Sequence, residues 1–362
     1  MLHASSLLRR VHLVLGWGVA AWLLLMAVTG MALAFKPQLK AWVAPHAETA
    51  PPRPLADALA TVDTLFPGRV RLMTPASPEL PLHEVIFRDA AGGAYIDPAT
   101  LQVLQTWERN GRPTDVLLEL HRHLLLDKAG KLPTAVFAAT TLALTFIGLA
   151  LALRRPGALS FRIWPLAAMP GALLAAHRNL AVALFLPLTF MAASGWALTY
   201  PKPAQKLLGQ VFGDGPPPVP PAGLGEAGPV NWRAALASAN AAFPNLPPRV
   251  ISWPAKPQDP VTIRFRSSGE WAHKGQSTAY LAPVSGKLAG RIDGRRVGRS
   301  LQVFGGLHPL HAGHVPDGPG QFLIVGLGVG AIGIVGMGAC ANLIRARRPR
   351  PRRYRKSPAM AR

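Results

Sequence analysis

The chain has 362 residues and a formal net charge of +22, yet 49% of its residues are hydrophobic. A basic soluble protein would suit nucleic acid, but here the apolar residues gather in long runs, which favours a membrane and excludes nucleic acid as the partner. The one cysteine, Cys340, excludes an internal disulfide framework and a thiolate metal cluster.

Four runs approach the length of about 20 residues that crosses a bilayer. The first, Leu13 to Phe35, follows Arg9 and Arg10. Its Ala32-Leu33-Ala34 resembles a cleavage site, but the run outlasts the roughly 7–15 residues of a signal-peptide core, so 1–36 is expected to stay as a membrane helix. Residues 37–120 form a first external lobe. It opens with a proline-rich linker at Pro45 to Pro54. A helix over Ala56 to Phe66 stops at Pro67-Gly68, and strand-like pieces follow at Leu82 to Arg88 and Ala94 to Asp97 around the turn Ala91-Gly92-Gly93. Residues 121–155 hold a histidine-bearing helix end, a turn and the second run, Leu132 to Leu153. A link over 156–176 leads to the third span, 177–200, with its run Leu180 to Leu198. The second lobe, 201–307, opens with a longer breaker at Gly213 to Gly228. Residues 308–345 carry a second histidine segment and the run Phe322 to Ile344, before a basic tail at 346–362.

Lysine and arginine near the segment ends set the orientation. Arg9 and Arg10, the cluster Arg154, Arg155, Arg162 and Arg178, and the acid-free tail all belong in the cytoplasm. The lobes then lie outside, which in a bacterial inner membrane means the periplasm. They differ in charge: 37–120 has 7 Lys/Arg against 10 Asp/Glu, whereas 201–310 has 13 against 5. The second lobe, with Arg264, Arg266, Lys274, Arg291, Arg295, Arg296 and Arg299, reads equally as a solvated basic surface or as one that attracts an anionic ligand or lipid.

The two halves echo each other. His12 and Thr29-Gly30 recur as His177 and Ser194-Gly195, shifted by 165. Ala-Leu-Ala…Phe66-Pro67 recurs as Ala-Leu-Ala…Phe243-Pro244, shifted by 177. Tyr95-Ile-Asp-Pro98 recurs as Tyr280-Leu-Ala-Pro283, shifted by 185. His121, Asp127, Gly130 and Gly148 recur as His311, Asp317, Gly320 and Gly338, shifted by 190. The expected fold is a mainly α membrane protein: four transmembrane helices in two tandem repeats, each carrying a small α+β external domain.

Four histidines at repeat-equivalent positions ask for a shared purpose, because a polar ring in a membrane needs a partner. His12 and His177 fall at one depth, His121 and His311 at another. Two facing imidazoles suit the axial positions of a haem iron, whereas zinc wants about four ligands. Two b-type haems, one near each face, are therefore expected. Gly16, Gly18, Gly30, Gly148, Gly195, Gly326, Gly328 and Gly330 would let a flat macrocycle approach the backbone, though small residues also simply pack helices. His123 points to another side of its helix, and His308, His311 and His314 share one helical face, so the external ligand stays open among them. His3, His46, His83 and His273 have no repeat partner and read as surface residues.

The set Arg10-Val-His12 with Thr29-Gly30, Leu120-His121-Arg122 with Gly130, His177-Arg178 with Ser194-Gly195, and Leu310-His311-Ala-Gly313 with Gly320 resembles the PepSY-associated transmembrane family. These are iron-regulated inner-membrane proteins that include periplasmic ferrisiderophore reductases. Tyr95-Ile-Asp-Pro98 resembles the closing strand of a PepSY unit, and the second copy lacks the aspartate. The resemblance implies a di-haem reductase passing electrons outward to a periplasmic ferric siderophore and releasing Fe(II), which hard-oxygen chelators hold less well. Arg264, Arg266 and Trp271, with Trp107, Trp232 and Trp253, are candidates for gripping the chelate. No dinucleotide or flavin motif is present, so a separate cytoplasmic donor or a quinol must supply electrons. The alternatives are a haem-free metal or proton transporter, disfavoured by apparently continuous helices without buried acids, and a sensor acting through its lobes.

Overall fold

A computed structural model describes residues 2–347 apart from 89–91, 155–156, 158, 216–217, 225–227, 273 and 316–318. Asp317, His273 and the basic tail from 348 on lie outside the described residues, as does the side chain of His3.

In chain order, helix α1 (Leu2–Ala34) breaks at Phe35 into a short α2 (Lys36–Val43). Then come α3 (Leu55–Leu65), strands β1 (Val70–Thr74), β2 (His83–Phe87), β3 (Gly93–Ile96) and β4 (Val103–Trp107), and α4 (Pro113–His123). After α5 (Lys131–Leu153) follow α6 (Pro170–Ala183), α7 (Phe185–Thr199), α8 (Pro201–Phe212) and α9 (Trp232–Ala242). Strands β5 (Pro248–Ser252), β6 (Val261–Phe265), β7 (Ser277–Leu281) and β8 (Leu288–Ile292) precede α10 (Arg299–Ala312) and α11 (Gly320–Arg347).

Three stretches, Ser6–Ala34, Asp127–Leu153 and Gly320–Arg347, are long and apolar enough to cross a membrane. The pair α6 and α7, bent by 66° at Leu184, passes the same test only when taken together, so the chain has three such helices, or four where this broken pair counts as one span. The expectation of a continuous third helix starting at His177 is therefore corrected: it starts at Pro170 and breaks. Pro187 supplies the reason, since it has no N–H for the carbonyl of Ala183 and its ring crowds that oxygen.

The chain forms two compact units, one of residues 1–24, 140–189 and from 329 on, the other of 25–139 and 190–328. The first is helical, with a small core of Leu173, Ala176, Met337 and Ala341.

In the second unit the two expected external domains prove to be one. Their strands make a single antiparallel sheet in the order β4-β3-β2-β1-β5-β6-β7-β8. The join is β1 with β5, where Leu72 faces Ser252 and Met73 faces Ile251. Each four-stranded meander alone would leave one of these strands as an open edge, and pairing them satisfies both rows of backbone groups. One face packs against α3 and α9 around a core that includes Leu59, Met73, Val85, Ile96, Ile251, Ile263 and Phe265. Asp63 on α3 ties the halves together, accepting from the indole N–H of Trp232 and of Trp253, each at 2.5 Å. Asp63→Ala removes two charge-assisted hydrogen bonds, so a loss of about 2–4 kcal/mol is expected. Tryptophan-fluorescence denaturation of the purified protein measures it, and an unchanged midpoint would remove Asp63 from this role.

On the opposite face Glu84 accepts from Lys40 at 2.6 Å and from Arg112 at 2.7 Å, and Arg112 also donates to Tyr95 and Asp115. The Arg112 guanidinium lies 3.9 Å above the Trp107 ring. Burial alone would raise the Glu84 carboxyl, but Lys40 and Arg112 overcome it and hold it at about 2. A depressed carboxylate stabilises the fold above its unfolded value and loses that contribution as pH falls through the folded one. Acid should therefore weaken this domain between about pH 4.5 and 2, and Glu84→Gln should flatten that part of the stability–pH curve.

Three aromatic assignments change. Trp107, Trp232 and Trp253 serve packing and hydrogen bonding rather than an open surface. His83 is buried, not superficial, with Nδ1 accepting from the Ala76 N–H at 3.0 Å.

Candidate functional site

Within the second unit, two short helices each bring a histidine to a long one. Helix α4 starts with Pro113 and stops where Leu124 adopts φ 55, which leaves His121 in its last turn. Helix α10 stops at Gly313, whose φ of 70 suits glycine, with His311 in its last turn. His121 Nδ1 lies 2.8 Å from Thr29 Oγ1, and His311 Nδ1 lies 2.8 Å from Ser194 Oγ. Each hydroxyl already donates its proton backwards along its helix, Thr29 to the Leu25 carbonyl at 2.6 Å and Ser194 to the Phe190 carbonyl at 2.7 Å. It must therefore accept from the imidazole. Both rings are held as the Nδ1–H tautomer, which leaves Nε2 as a lone-pair donor.

The neighbouring glycines seat the rings. A Cβ at Gly30 would stand 3.3 Å from His121 Cε1, and one at Gly195 would stand 3.5 Å from His311 Cε1. The two imidazoles face each other with centroids 6.3 Å apart and planes at 68°. Burial chiefly, helped by Arg122, pushes His121 down to about 4, and burial with His121 and His308 pushes His311 to about 3. Both are neutral at pH 7, as a metal ligand must be.

The first unit holds a second histidine pair at the same centroid spacing, each ring again beside a glycine. His12 of α1 and His177 of α6 have centroids 6.3 Å apart and planes at 81°. His177 Nδ1 donates to the Ile334 carbonyl at 2.8 Å, and again the Nε2 lone pair is left over. A Cβ at Gly338 would come within 3.1 Å of the His177 ring, and one at Gly148 within 3.2 Å of the His12 ring. His12 Nδ1 is buried without a partner among the described residues.

The common spacing has a chemical meaning. A metal–imidazole bond of about 2 Å plus roughly 1.1 Å from nitrogen to ring centre, taken on both sides, separates two opposed imidazoles by about 6.3 Å. Among the described residues no group of three or more His, Cys, Asp and Glu side chains could hold a metal ion. Each pair therefore offers two imidazole nitrogens, and a metal held between them would take its remaining donors from another group.

The remaining candidates separate. His123 is committed to Glu119, with Nδ1 3.0 Å from its carboxylate. His314 lies beyond the end of α10, so it does not share a helical face with His308 and His311; its Nε2 reaches the Ala34 carbonyl at 3.2 Å and its ring stands 6.2 Å from that of His308. Arg266 is held by the Glu270 carbonyl, Arg264 sits on β6, and Trp271 is exposed. Gly30, Gly148 and Gly195 seat imidazoles rather than open backbone, whereas Gly328 and Gly330 meet Met31 and Leu184. A cavity of ≈ 860 Å³ in the second lobe is lined by Arg291, Arg295 and Arg296, but Asp293 lies within 3.1 Å and 3.8 Å of the last two. The roles of Thr29 and Ser194 escaped the sequence reading, although Thr-Gly and Ser-Gly at a shift of 165 carried the signal.

The family model for the PepSY-associated TM region matches residues 9–345. No curated protein matches the chain.

Proposed function

Because this chain belongs to the PepSY-associated transmembrane family, we propose that it is a di-haem membrane reductase that delivers electrons to a ferric siderophore outside the inner membrane. The observation that carries the reading is the pair of matched histidine sites, each with centroids 6.3 Å apart. Haem, when bound between the imidazoles, supplies a one-electron iron couple. His12 and His177 serve the level nearer the cytoplasm, where a quinol or a separate donor gives up electrons. His121 and His311 serve the outer level. On this reading the chain is two tandem halves, its termini are cytoplasmic and its sheet is periplasmic. Each half contributes one imidazole to each level and seats it on its own Gly.

Thr29 and Ser194 position the outer ligands and raise their basicity by accepting from Nδ1–H. Thr29→Val and Ser194→Val should each weaken outer-haem retention by about 10–100-fold while leaving the inner haem in place. Haem titration into protein made under haem limitation measures this, and equal affinities would separate the hydroxyls from ligand tuning.

One observation favours a second reading. The 66° break between α6 and α7 is the kind of interrupted span that transporters use to build ion sites. Absorbance decides between them. Oxidised and dithionite-reduced spectra with two low-spin b haems per chain support the reductase; colourless protein from haem-replete cells overturns it in favour of a transporter or sensor.

A further inference from the structure

The end of α10 brings together two histidines that the outer pair does not use. Gly313 takes φ 70, the His314 N–H donates to the Pro309 carbonyl at 2.8 Å, and the Gly313 N–H reaches the Leu310 carbonyl at 3.4 Å. These two bonds make a Schellman cap, which folds the residue after the left-handed position back over the last turns of the helix. The side-chain contact that accompanies such a cap is ordinarily apolar. Here it joins two imidazoles: the rings of His308 and His314 have centroids 6.2 Å apart and planes at 57°.

The other half of the chain carries apolar residues at the matching places. The shift of 190 that takes His121 onto His311 takes Leu118 onto His308 and Leu124 onto His314. Two leucines of the first half are thus two histidines in the second. A helix cap needs no polar side chain at either position, so packing alone does not account for the pair.

The geometry suits a metal ion. Two imidazoles on one metal, with bonds of about 2 Å, have centroids up to about 6.3 Å apart. The observed 6.2 Å lies within that reach. His314 Nε2 stands 3.2 Å from the Ala34 carbonyl, which can only accept, so Nε2 carries the proton and Nδ1 the lone pair. A ligating histidine characteristically gives its second ring proton to a backbone carbonyl in this way. His308 is exposed and His314 half-buried, so an ion reaches the pair from water. His311 on the same helix is spent elsewhere, with Nδ1 on Ser194 and its ring facing His121.

We infer that His308 and His314 bind a divalent transition-metal ion of borderline softness, at a site separate from both haem-type pairs. Imidazole nitrogen suits zinc, nickel and copper, whereas magnesium and calcium take oxygen donors. Among the described residues no third His, Cys, Asp or Glu joins the two rings, so water completes the coordination and the ion is exchangeable. Affinity should rise from nickel to copper and fall again at zinc.

Ni(II) alone, titrated calorimetrically into the purified protein, tests the site. The double variant His308→Leu with His314→Leu copies the first half and keeps the cap contact apolar. It should retain the parent's haem content and take up one Ni(II) fewer. His308→Ala and His314→Ala should each weaken that Ni(II) by about tenfold or more, and either carries the same comparison if the double variant does not fold. His46→Ala, an exposed histidine elsewhere, should change nothing. Equal Ni(II) uptake and affinity in the parent and the histidine variants overturns the proposal. A double variant that loses a haem instead assigns the pair to the outer haem and overturns it as well. The readout is the difference between parent and variant, so it does not depend on haem: a colourless protein whose Ni(II) site disappears with the leucines would lose the reductase reading and keep the metal site.

Discussion

If the proposed di-haem reading holds, His311→Ala purified from haem-replete cells should contain about one haem per chain where the parent should contain about two, and the retained one should be the His12/His177 haem. The expectation follows from the separation of the pairs into two compact units, each with its own facing rings. His121→Ala should give the same spectrum as His311→Ala, because on that reading both rings hold the same haem. His12→Ala and His177→Ala should give the complementary spectrum. Reoxidation by a ferric chelate should vanish in the first two, since no outer carrier remains, while dithionite still reduces the inner haem. The measurement is the pyridine haemochrome count, with reduced-minus-oxidised spectra to tell the levels apart. A folded single variant that loses both haems would refute the two-level pairing. Retention of both in His311→Ala would pass the outer ligand to His308 or His314.

The second large effect comes from the glycines against which the imidazoles rest. Leucine at Gly148 or Gly338 must push the ring of His12 or His177 off its axis, because even a Cβ would stand only 3.2 or 3.1 Å away. Gly148→Leu and Gly338→Leu should therefore lose the inner haem almost as completely as the histidine variants do. Gly30→Leu should lose the outer one. Alanine makes a graded series. Gly195→Ala places its Cβ in ordinary contact at 3.5 Å and should keep its haem, whereas Gly338→Ala at 3.1 Å requires the ring to shift. A misplaced ligand typically costs metal affinity by about 10–100-fold. Haem content after gel filtration reads the outcome, and the untouched level reports that the protein is folded. Full occupancy in Gly148→Leu would show that these glycines only pack helices.

Much of this was readable along the chain because it is written in short-range patterns. A run of about 20 apolar residues crosses a bilayer whatever its neighbours do. Repeated His, Thr-Gly and Ser-Gly positions survive at constant shifts, so the pairing of His12 with His177 and of His121 with His311 needed no contacts. The Tyr95-Ile-Asp-Pro98 motif likewise marked a real strand end, where Asp97 accepts from the N–H groups of Glu48, Ala99 and Thr100. The break at Leu184 was missed although Pro187 stood in plain view, because hydropathy weighs side chains and ignores a lost backbone hydrogen bond.

The sequence by itself determined the apolar spans, the surplus of positive charge and which histidines correspond. Those properties depend on residue type and spacing, which no packing alters. Only the tertiary structure decided that the two lobes share one eight-stranded sheet, since strand pairing joins residues as far apart as Met73 and Ile251. It alone settled which ring nitrogen stays free, because the tautomer depends on a hydroxyl brought from another helix and already committed to its own backbone. It also sorted the tryptophans and arginines, whose side chains look alike in a sequence: Trp232 and Trp253 belong to Asp63, and Arg112 to Glu84.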